Sequence, residues 1–268
     1  MTQLAFIGFG EVGQTFATGL LGREGVRLAA YDLLFDRPDK RGELIARAET
    51  LGARGAADAA DASRGARIVI SAVTAAAAGE VARAAARYLQ PGQIFFDINS
   101  ASPGTKQAAA AAIEATGAQF VEGAVMAAVA GPGLGVPILA GGTAAATAAQ
   151  MLNPLGMNLT PVATEIGRAS ATKLARSIVM KGIEAALVQS AAAARRWDVE
   201  AEVLASLQAT YPGIDWKKQV AHAAERVARH GLRRAEEMRE AGVMLDDLGL
   251  DPELCRAIAA VQERGAKR

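Results

Sequence analysis

Of 268 residues, only one is cysteine and two are histidine, and aromatic side chains make up 4%. A lone Cys255 cannot form an internal disulfide, which fits a reducing, cytoplasmic setting. It lies in a segment that reads as a helix, where a small buried hydrophobe is expected. Together, His222, His230 and Cys255 have no metal-ligand spacing, so no metal is expected. Excess charge of either sign is also missing: 29 Lys and Arg face 28 Asp and Glu, for a net charge of +1. Such a balance gives no electrostatic footprint for nucleic acid or for an anionic membrane. No apolar run approaches the roughly 18 residues of a membrane span. No charged, apolar leader pattern opens the chain, because Met1 leads straight into an apparent strand. What is abundant is apolar: 51% hydrophobic against 21% charged residues, the composition of a globular chain long enough for one large or two modest domains.

The most informative stretch is Gly8-Phe9-Gly10-Glu11-Val12-Gly13. It follows the apolar run Leu4 to Ile7, which reads as a buried strand, and opens a segment with the helical spacing Val12, Phe16, Leu20. In that context a G-x-G-x-x-G has a mechanism. The first glycine makes the turn, the second admits a pyrophosphate to the backbone, and the third lets helix and strand pack closely. The helix N-terminus then offers free N–H groups to phosphate. A second strand, Val26 to Tyr31, ends on Asp32, where an acidic residue about twenty positions on reads a ribose 2′-hydroxyl. A carboxylate there repels a 2′-phosphate, which favours NAD over NADP. Arg37 and Arg41 follow closely and could favour the phosphate, but solvated loop charges are the simpler reading.

Strand and helix then alternate. A helix spans about Lys40 to Leu51, and Ala53 to Ala56 is a candidate third strand. Arg67 to Val73 is a buried strand, and Val73 and Thr74 at its end are counted with the cofactor contacts. A helix follows (Val81, Ala84, Tyr88) and stops at Pro91-Gly92. Ile94 to Ile98 is the next strand, and Ser102-Pro103 places a cap and an N1 proline at the head of an Ala-rich helix. Gln119 to Val121 and Val136 to Ala140 complete the strands. The alternation predicts an α/β, doubly wound Rossmann sheet of mostly parallel strands. Near Ala163 the pattern changes. From about Ile166 to Trp197 a single helix of roughly 30 residues, about 45 Å, is expected. Helices follow over Glu200 to Thr210, Trp216 to about Ala241, and onward from Pro252, itself at N1 after Asp251. The expected division is an NAD-binding domain over 1–163 and an all-helical substrate and dimerisation domain over 164–268, with the long linking helix at about 166–196.

Three further motifs follow the glycines in order: Asp97-Ile98-Asn99-Ser100-Ala101-Ser102-Pro103; Val121-Glu122-Gly123-Ala124-Val125-Met126-Ala127-Ala128; and Gly167 to Ser177, containing Lys173 and Arg176. Together they resemble the β-hydroxyacid dehydrogenases, the family of 3-hydroxyisobutyrate, tartronate semialdehyde and 6-phosphogluconate dehydrogenases. The likeness covers roughly two thirds of the chain. The segment His230 to Met238 resembles a less studied, phosphogluconate-dehydrogenase-like branch. The resemblance implies that Asn99 and Ser100 contact nicotinamide and substrate, that Lys173 is the family lysine, and that Val125, Met126 and Ala127 line the substrate. It also implies a homodimer paired through the helical domain. The chain departs from the pattern at three places. Ala169 replaces a glycine, Arg176 replaces an asparagine, and Met126-Ala127-Ala128 replaces Ser-Gly-Gly.

A lysine suits the implied chemistry. Oxidising a hydroxyl with hydride loss requires removal of its O–H proton, and a partly desolvated lysine near a cationic nicotinamide can act as base, or as acid in reverse. Arg176 lies at i+3 from Lys173 and shares its face. It reads either as a clamp on a substrate anion or as an ion-pair partner of a glutamate in the helical domain. Lys181 reads as a solvated or interface charge. Arg229, His230, Arg233 and Arg234, followed by Glu236, Glu237 and Glu240, read as a solvated face in which Arg233 pairs with Glu236 and Glu237. Trp197, Tyr211 and Trp216 read as core or subunit-interface packing. The expected activity is hydride transfer between NAD(H) and a small β-hydroxy acid, with Lys173 as acid/base. The rivals are a ketone or imine reductase without a carboxylate handle, and a non-catalytic NAD(H)-binding sensor.

Overall fold

The computed structural model describes residues 2–266; Met1, expected to lead into the first strand, and the last two residues lie outside the described residues. The chain divides into two compact units, residues 1–173 and 174–268. No helix among the described residues is long and apolar enough to cross a membrane.

The first unit is built on one sheet: β1 (Thr2–Ile7), β2 (Val26–Tyr31), β3 (Arg54–Gly55), β4 (Ile68–Ser71), β5 (Ile94–Asp97), β6 (Gln119–Val125), β7 (Pro137–Gly141) and β8 (Asn158–Ala163). Their spatial order is β3-β2-β1-β4-β5-β6-β7-β8. Pairing is parallel from β3 to β6, antiparallel between β6 and β7, and parallel again between β7 and β8. The chain reverses its direction of winding between β1 and β4, the crevice where open α/β sheets bind ligands.

The strands carry apolar side chains on both faces. Leu4, Phe6, Leu28, Ile68, Ile70 and Phe96 pack on one side, with Phe16 and Leu20 of α1 (Glu11–Leu21), Ala48 of α2 (Arg41–Thr50), and the alanines of the helix Ala145–Leu152. Ala5, Ile7, Val69, Phe95 and Phe120 pack on the other, against Ala62 of α3 (Ala59–Ser63), Ala82 and Ala85 of α4 (Ala75–Ala85), and Ala109 and Ile113 of α5 (Pro103–Glu114). The Ala145–Leu152 helix is α6. Burial on both faces is why these strands read as continuous apolar runs. Ser102 caps α5 through Thr105 N–H, with Pro103 in the first turn, as expected.

Among the helices and strands named above, α3, α6 and β8 were not anticipated. The helices α3 and α6 are too short and alanine-rich for a clear period, and β8 contains Pro161. A proline is tolerated in β8 because it is the edge strand.

The helix α7 (Arg168–Arg196) runs through the division, close to the expected span. The second unit continues with α8 (Glu200–Thr210), α9 (Trp216–Asp247) and α10 (Glu253–Gly265). Helix α9 is longer than expected: Ala241 and Gly242 are buried within it, and Gly242 does not end it. Pro252 stands at the N-cap of α10, one position before the expected N1, while Asp251 accepts from Glu253 N–H at 2.8 Å. Helices α9 and α10 cross closely through glycines. A Cβ on Gly231 would lie 2.2 Å from the Gln262 carbonyl, and one on Gly265 would lie 2.4 Å from Val227. Cys255 is fully buried, and its burial raises the thiol pKa.

Several charge readings are corrected here. Lys181 is neither solvated nor exposed for an interface: it is buried and pairs with Glu237 at 2.9 Å. Burial pushes its ammonium pKa down, while Glu237 pulls it back up. Glu237 therefore faces the interior of the unit, where Ser177 also donates to it, and does not lie on a solvated face. Arg234 pairs inward with the buried Glu184, which Arg226 also reaches at 3.1 Å. The sequence period places these residues on a polar stripe, but cannot show that α7 supplies opposite charges against it. Trp197 is 81% exposed and Tyr211 is exposed with its ring against Trp216, whereas Trp216 itself packs against a hydrophobic cluster of the second unit.

Candidate active site

The glycine turn is determined by contacts that a side chain would break. Gly8 has φ +90°, and a Cβ there would lie 2.4 Å from the Ala72 carbonyl oxygen. A Cβ on Gly13 would lie 2.6 Å from the Gly8 carbonyl oxygen. Gly10 differs, since a Cβ there would meet nothing within 4 Å. Its smallness is not needed for packing within the chain and leaves open space over the helix end. Gly10 is the N-cap of α1 and supplies no side-chain cap. The first intrahelical bond runs from Gln14 N–H to Gly10 C=O. An open approach and an uncapped helix N-terminus at Glu11, Val12 and Gly13 fit a dinucleotide pyrophosphate. Phe9 takes another role. Its ring is buried edge-on against Phe6, and its N–H donates to Asp32 Oδ2 at 2.7 Å.

Asp32 Oδ1 also accepts from Leu34 N–H, at 2.9 Å. The carboxylate is thus held between the glycine turn and the start of the next loop. A carboxylate still has acceptor capacity after two such bonds, so a ribose hydroxyl can be read there. Arg37 pairs with Asp39 at 3.1 Å, and Arg41 donates to the Phe35 carbonyl at 3.2 Å.

The polar heart of the unit is one rung of the sheet. Ser71, Asp97, Glu122 and Gly141 stand side by side across β4, β5, β6 and β7. The first three are buried. Each serves the chain that leaves the strand ends. Ser71 Oγ accepts from Asn99 Nδ2 at 3.0 Å. Asp97 accepts from Asn99 and is paired at 3.1 Å with Lys106, whose ammonium also donates to the Asp97 carbonyl at 2.9 Å. Asn99 Oδ1 in turn accepts from Val73 N–H at 2.7 Å. Asn99 is buried, and its amide ties the end of β4 to the turn after β5. Thr74 heads α4 without a side-chain cap bond. Lys106 and Asp97 are both buried, so the pair is desolvated, and removing either partner would strand a charge.

Ser100 follows Asn99 out of this knot. Its Oγ accepts a hydrogen bond from Lys173 Nζ, across 73 residues of sequence. Both residues are part-buried. The helix bearing Lys173 is held by Glu122. Oε1 accepts from Gly167 N–H at 2.7 Å and Ala169 N–H at 3.1 Å; Oε2 accepts from Ser170 N–H at 3.2 Å and lies 2.8 Å from Ser170 Oγ. Gly167, at φ +109°, has no side chain with which to cap the helix itself. Gly141 leaves the room required, because a Cβ there would lie 2.5 Å from Glu122 Oε1.

The structure thus joins Ser100 to Lys173, Asn99 to Val73 and Phe9 to Asp32. Val125 ends β6, Met126 N–H donates to the Pro137 carbonyl at 2.9 Å, and Ala127 is exposed in the loop beyond. Arg176 is exposed, and no glutamate pairs with it among the described residues, so the ion-pair reading is not realised. Glu122 and Lys106 were not expected. Each left a signal, a lone charge within an apolar strand or an alanine-rich helix, which only a partner on another element could interpret.

Residues 3–164 match the model of the NAD binding domain of 6-phosphogluconate dehydrogenase, and residues 194–265 match a domain of unknown function, DUF1932. A conserved hypothetical protein from Sinorhizobium meliloti 1021 is 43% identical in its crystal structure, with a TM-score of 0.82 over 98% of this chain and 88% of that one. A conserved protein of unknown function, described as structurally similar to 3-hydroxyacid dehydrogenases, is 34% identical, with a TM-score of 0.77 over 98% and 96%. The Mycobacterium tuberculosis 3-hydroxyisobutyrate dehydrogenase, in a structure with L-serine, shares the fold at 19% identity and a TM-score of 0.76, over 98% and 93%. An NAD(P)-binding sheet with this turn, followed by this helical region, places the chain in the β-hydroxyacid dehydrogenase family, in a branch that carries a DUF1932 domain.

Proposed function

We propose that this chain is an oxidoreductase that moves a hydride between NAD(H) and a small β-hydroxy acid or its oxo form, with Lys173 as the acid/base. The observation that carries this reading is the bond from Lys173 Nζ to Ser100 Oγ at the carboxyl ends of the strands. A solvated surface lysine has no need of such a partner. NAD(H), when bound, accepts or supplies the hydride. Residues Gly8 to Gly13 hold the pyrophosphate, Asp32 the ribose, and Val73, Thr74 and Asn99 border the nicotinamide side. As the substrate carbon loses hydride, the Lys173 amine takes the hydroxyl proton, and it returns that proton in the reverse direction. Ser100 positions the amine and shares the substrate oxygen, while Asn99 keeps Ser100 in place. Val125, Met126 and Ala127 form an apolar side of the substrate site, and Arg176 takes the carboxylate.

The preference for NAD over NADP rests on Asp32. Its two backbone hydrogen bonds keep the carboxylate from swinging aside for a 2′-phosphate. Residues 1–163 act as the cofactor domain and 164–268 as the substrate and dimerisation domain of a cytoplasmic homodimer. Exposed Val179 and Ile183 on α7 support the pairing, because unpaired apolar surface favours association.

The test is Lys173→Ala, assayed with NAD and a panel of small β-hydroxy acids, with NADH and NADPH titrated in parallel. Turnover should fall at least ~10²-fold, the usual scale for a lost general acid/base. NADH affinity should stay within about threefold and exceed NADPH affinity at least about tenfold. Turnover within threefold of wild type would show that another group carries the proton. Equal affinities would overturn the cofactor choice, and sedimentation as a 27.6 kDa monomer at micromolar concentration would overturn the dimer.

A further inference from the structure

Glu122 is a buried carboxylate for which the proposed chemistry has no use. It is fully buried on β6, and among the described residues no lysine or arginine forms a salt bridge with it. Its partners are the backbone N–H groups of Gly167, Ala169 and Ser170 and the Ser170 hydroxyl, which form the first turn of α7. A buried carboxylate is tolerable there because the helix N-terminus carries partial positive charge and unsatisfied donors. The geometric consequence matters more. Lys173 stands at i+3 from Ser170 and i+4 from Ala169, so it projects directly over the turn that Glu122 grips. A helix turns about 100° per residue. If the first turn slips or frays, the lysine stem swings away from Ser100. Gly167 has no side chain, and the carboxylate that grips that turn comes from another element.

We infer that Glu122 is a positioning residue: by gripping the first turn of α7 from β6, it fixes the rotation that delivers the Lys173 amine to Ser100. This rests on the proposed acid/base role of Lys173 only in what it means for turnover; the placement of the amine can be measured without it.

The experiment compares wild type, Glu122→Gln, Glu122→Asp, Ser100→Ala and Lys173→Ala as full chains. The primary readout is the rate at which acetic anhydride acetylates Lys173, measured by peptide mass spectrometry against exposed Lys40 as internal standard. In wild type the amine is engaged with Ser100. In Glu122→Gln one oxygen becomes an N–H₂ group facing N–H donors, so the grip opens and the Lys173 to Lys40 ratio should rise at least threefold, as it should in Ser100→Ala. Turnover of the most active acid in the panel should fall at least tenfold in kcat with KM within threefold, and NADH affinity should be unchanged. Glu122→Asp, whose carboxylate is withdrawn by one methylene, should lie between wild type and Glu122→Gln in both readouts. A Glu122→Gln protein with wild-type acetylation and kcat would overturn the inference. If Glu122→Gln fails to fold, wild-type values in Glu122→Asp overturn it and intermediate values support it. If Lys173→Ala keeps its turnover, the acid/base proposal fails, while the acetylation ratio still decides the role of Glu122.

Discussion

The sheet unit and the helical unit handle buried charge in opposite ways. In residues 1–173 most buried polar side chains bond to backbone. Glu122 holds the N–H groups of α7, Asn99 holds Val73 N–H, Gln93 donates to the Ser63 and Ala66 carbonyls, and Lys106 reaches the Asp97 carbonyl as well as its carboxylate. In residues 174–268 buried charges pair with other charged side chains, Lys181 with Glu237 and Glu184 with the half-buried Arg234. Apolar burial differs too. The sheet unit buries its phenylalanines on both faces, whereas the helical unit leaves Val179, Ile183, Leu232 and Leu254 exposed. A side chain bonded to backbone fixes where a loop or helix begins, so the first unit holds a site in place. A side-chain ion pair fixes the register of one helix against another, so the second unit specifies packing.

This contrast can be broken from either side. The largest expected effect is in the helical unit. Lys181→Met removes the ammonium paired with the buried Glu237 and should destabilise the fold by about 3–5 kcal/mol at pH 8. Denaturant melts check this, and a loss below about 1 kcal/mol at pH 8 would mean that the pair contributes little to register.

The glycine turn sharpens the contrast with two matched changes. Gly8→Ala combines a positive φ with a 2.4 Å approach to the Ala72 oxygen, and should destabilise by about 2–4 kcal/mol. Gly10→Ala meets nothing, so its melting should stay within about 0.5 kcal/mol of wild type. Its NADH affinity, measured by titration, should nevertheless fall at least about tenfold. If both affinity and stability are unchanged, the space above Gly10 does not hold the cofactor.

The smallest effect is a slope. Burial lowers the Lys181 pKa, so in the alkaline range the unfolded chain binds more protons there than the folded one. Wild-type stability should therefore rise relative to Lys181→Met as pH climbs from Lys181's lowered folded value towards about 10.4. The difference between the two proteins' melts, taken from pH 8 to 10.5, isolates this term. A flat or falling difference would show that Lys181 is not desolvated.

The legible parts of the molecule were those written in local pattern. The strands β1, β2, β4 and β5, the glycine turn, the Ser102-Pro103 cap and the long α7 could all be read from runs, periods and caps. Ser100 and Lys173 were legible through motif resemblance, but their meeting was not, since it joins residues 73 apart. The short α3 and α6 and the edge strand β8 carry too little pattern to read. The charged stripe of α9 was misread because a helical period shows which residues share a face and not what lies opposite.

The sequence by itself therefore determined the layered α/β unit, the dinucleotide turn and the helical second half, because hydrophobic period and glycine placement act over a few residues. Only tertiary structure decided which buried charges would be met, and by what. The partners of Glu122, Lys106 and Lys181 come from other elements of the fold. The desolvation that makes those pairings matter exists only once the elements have packed.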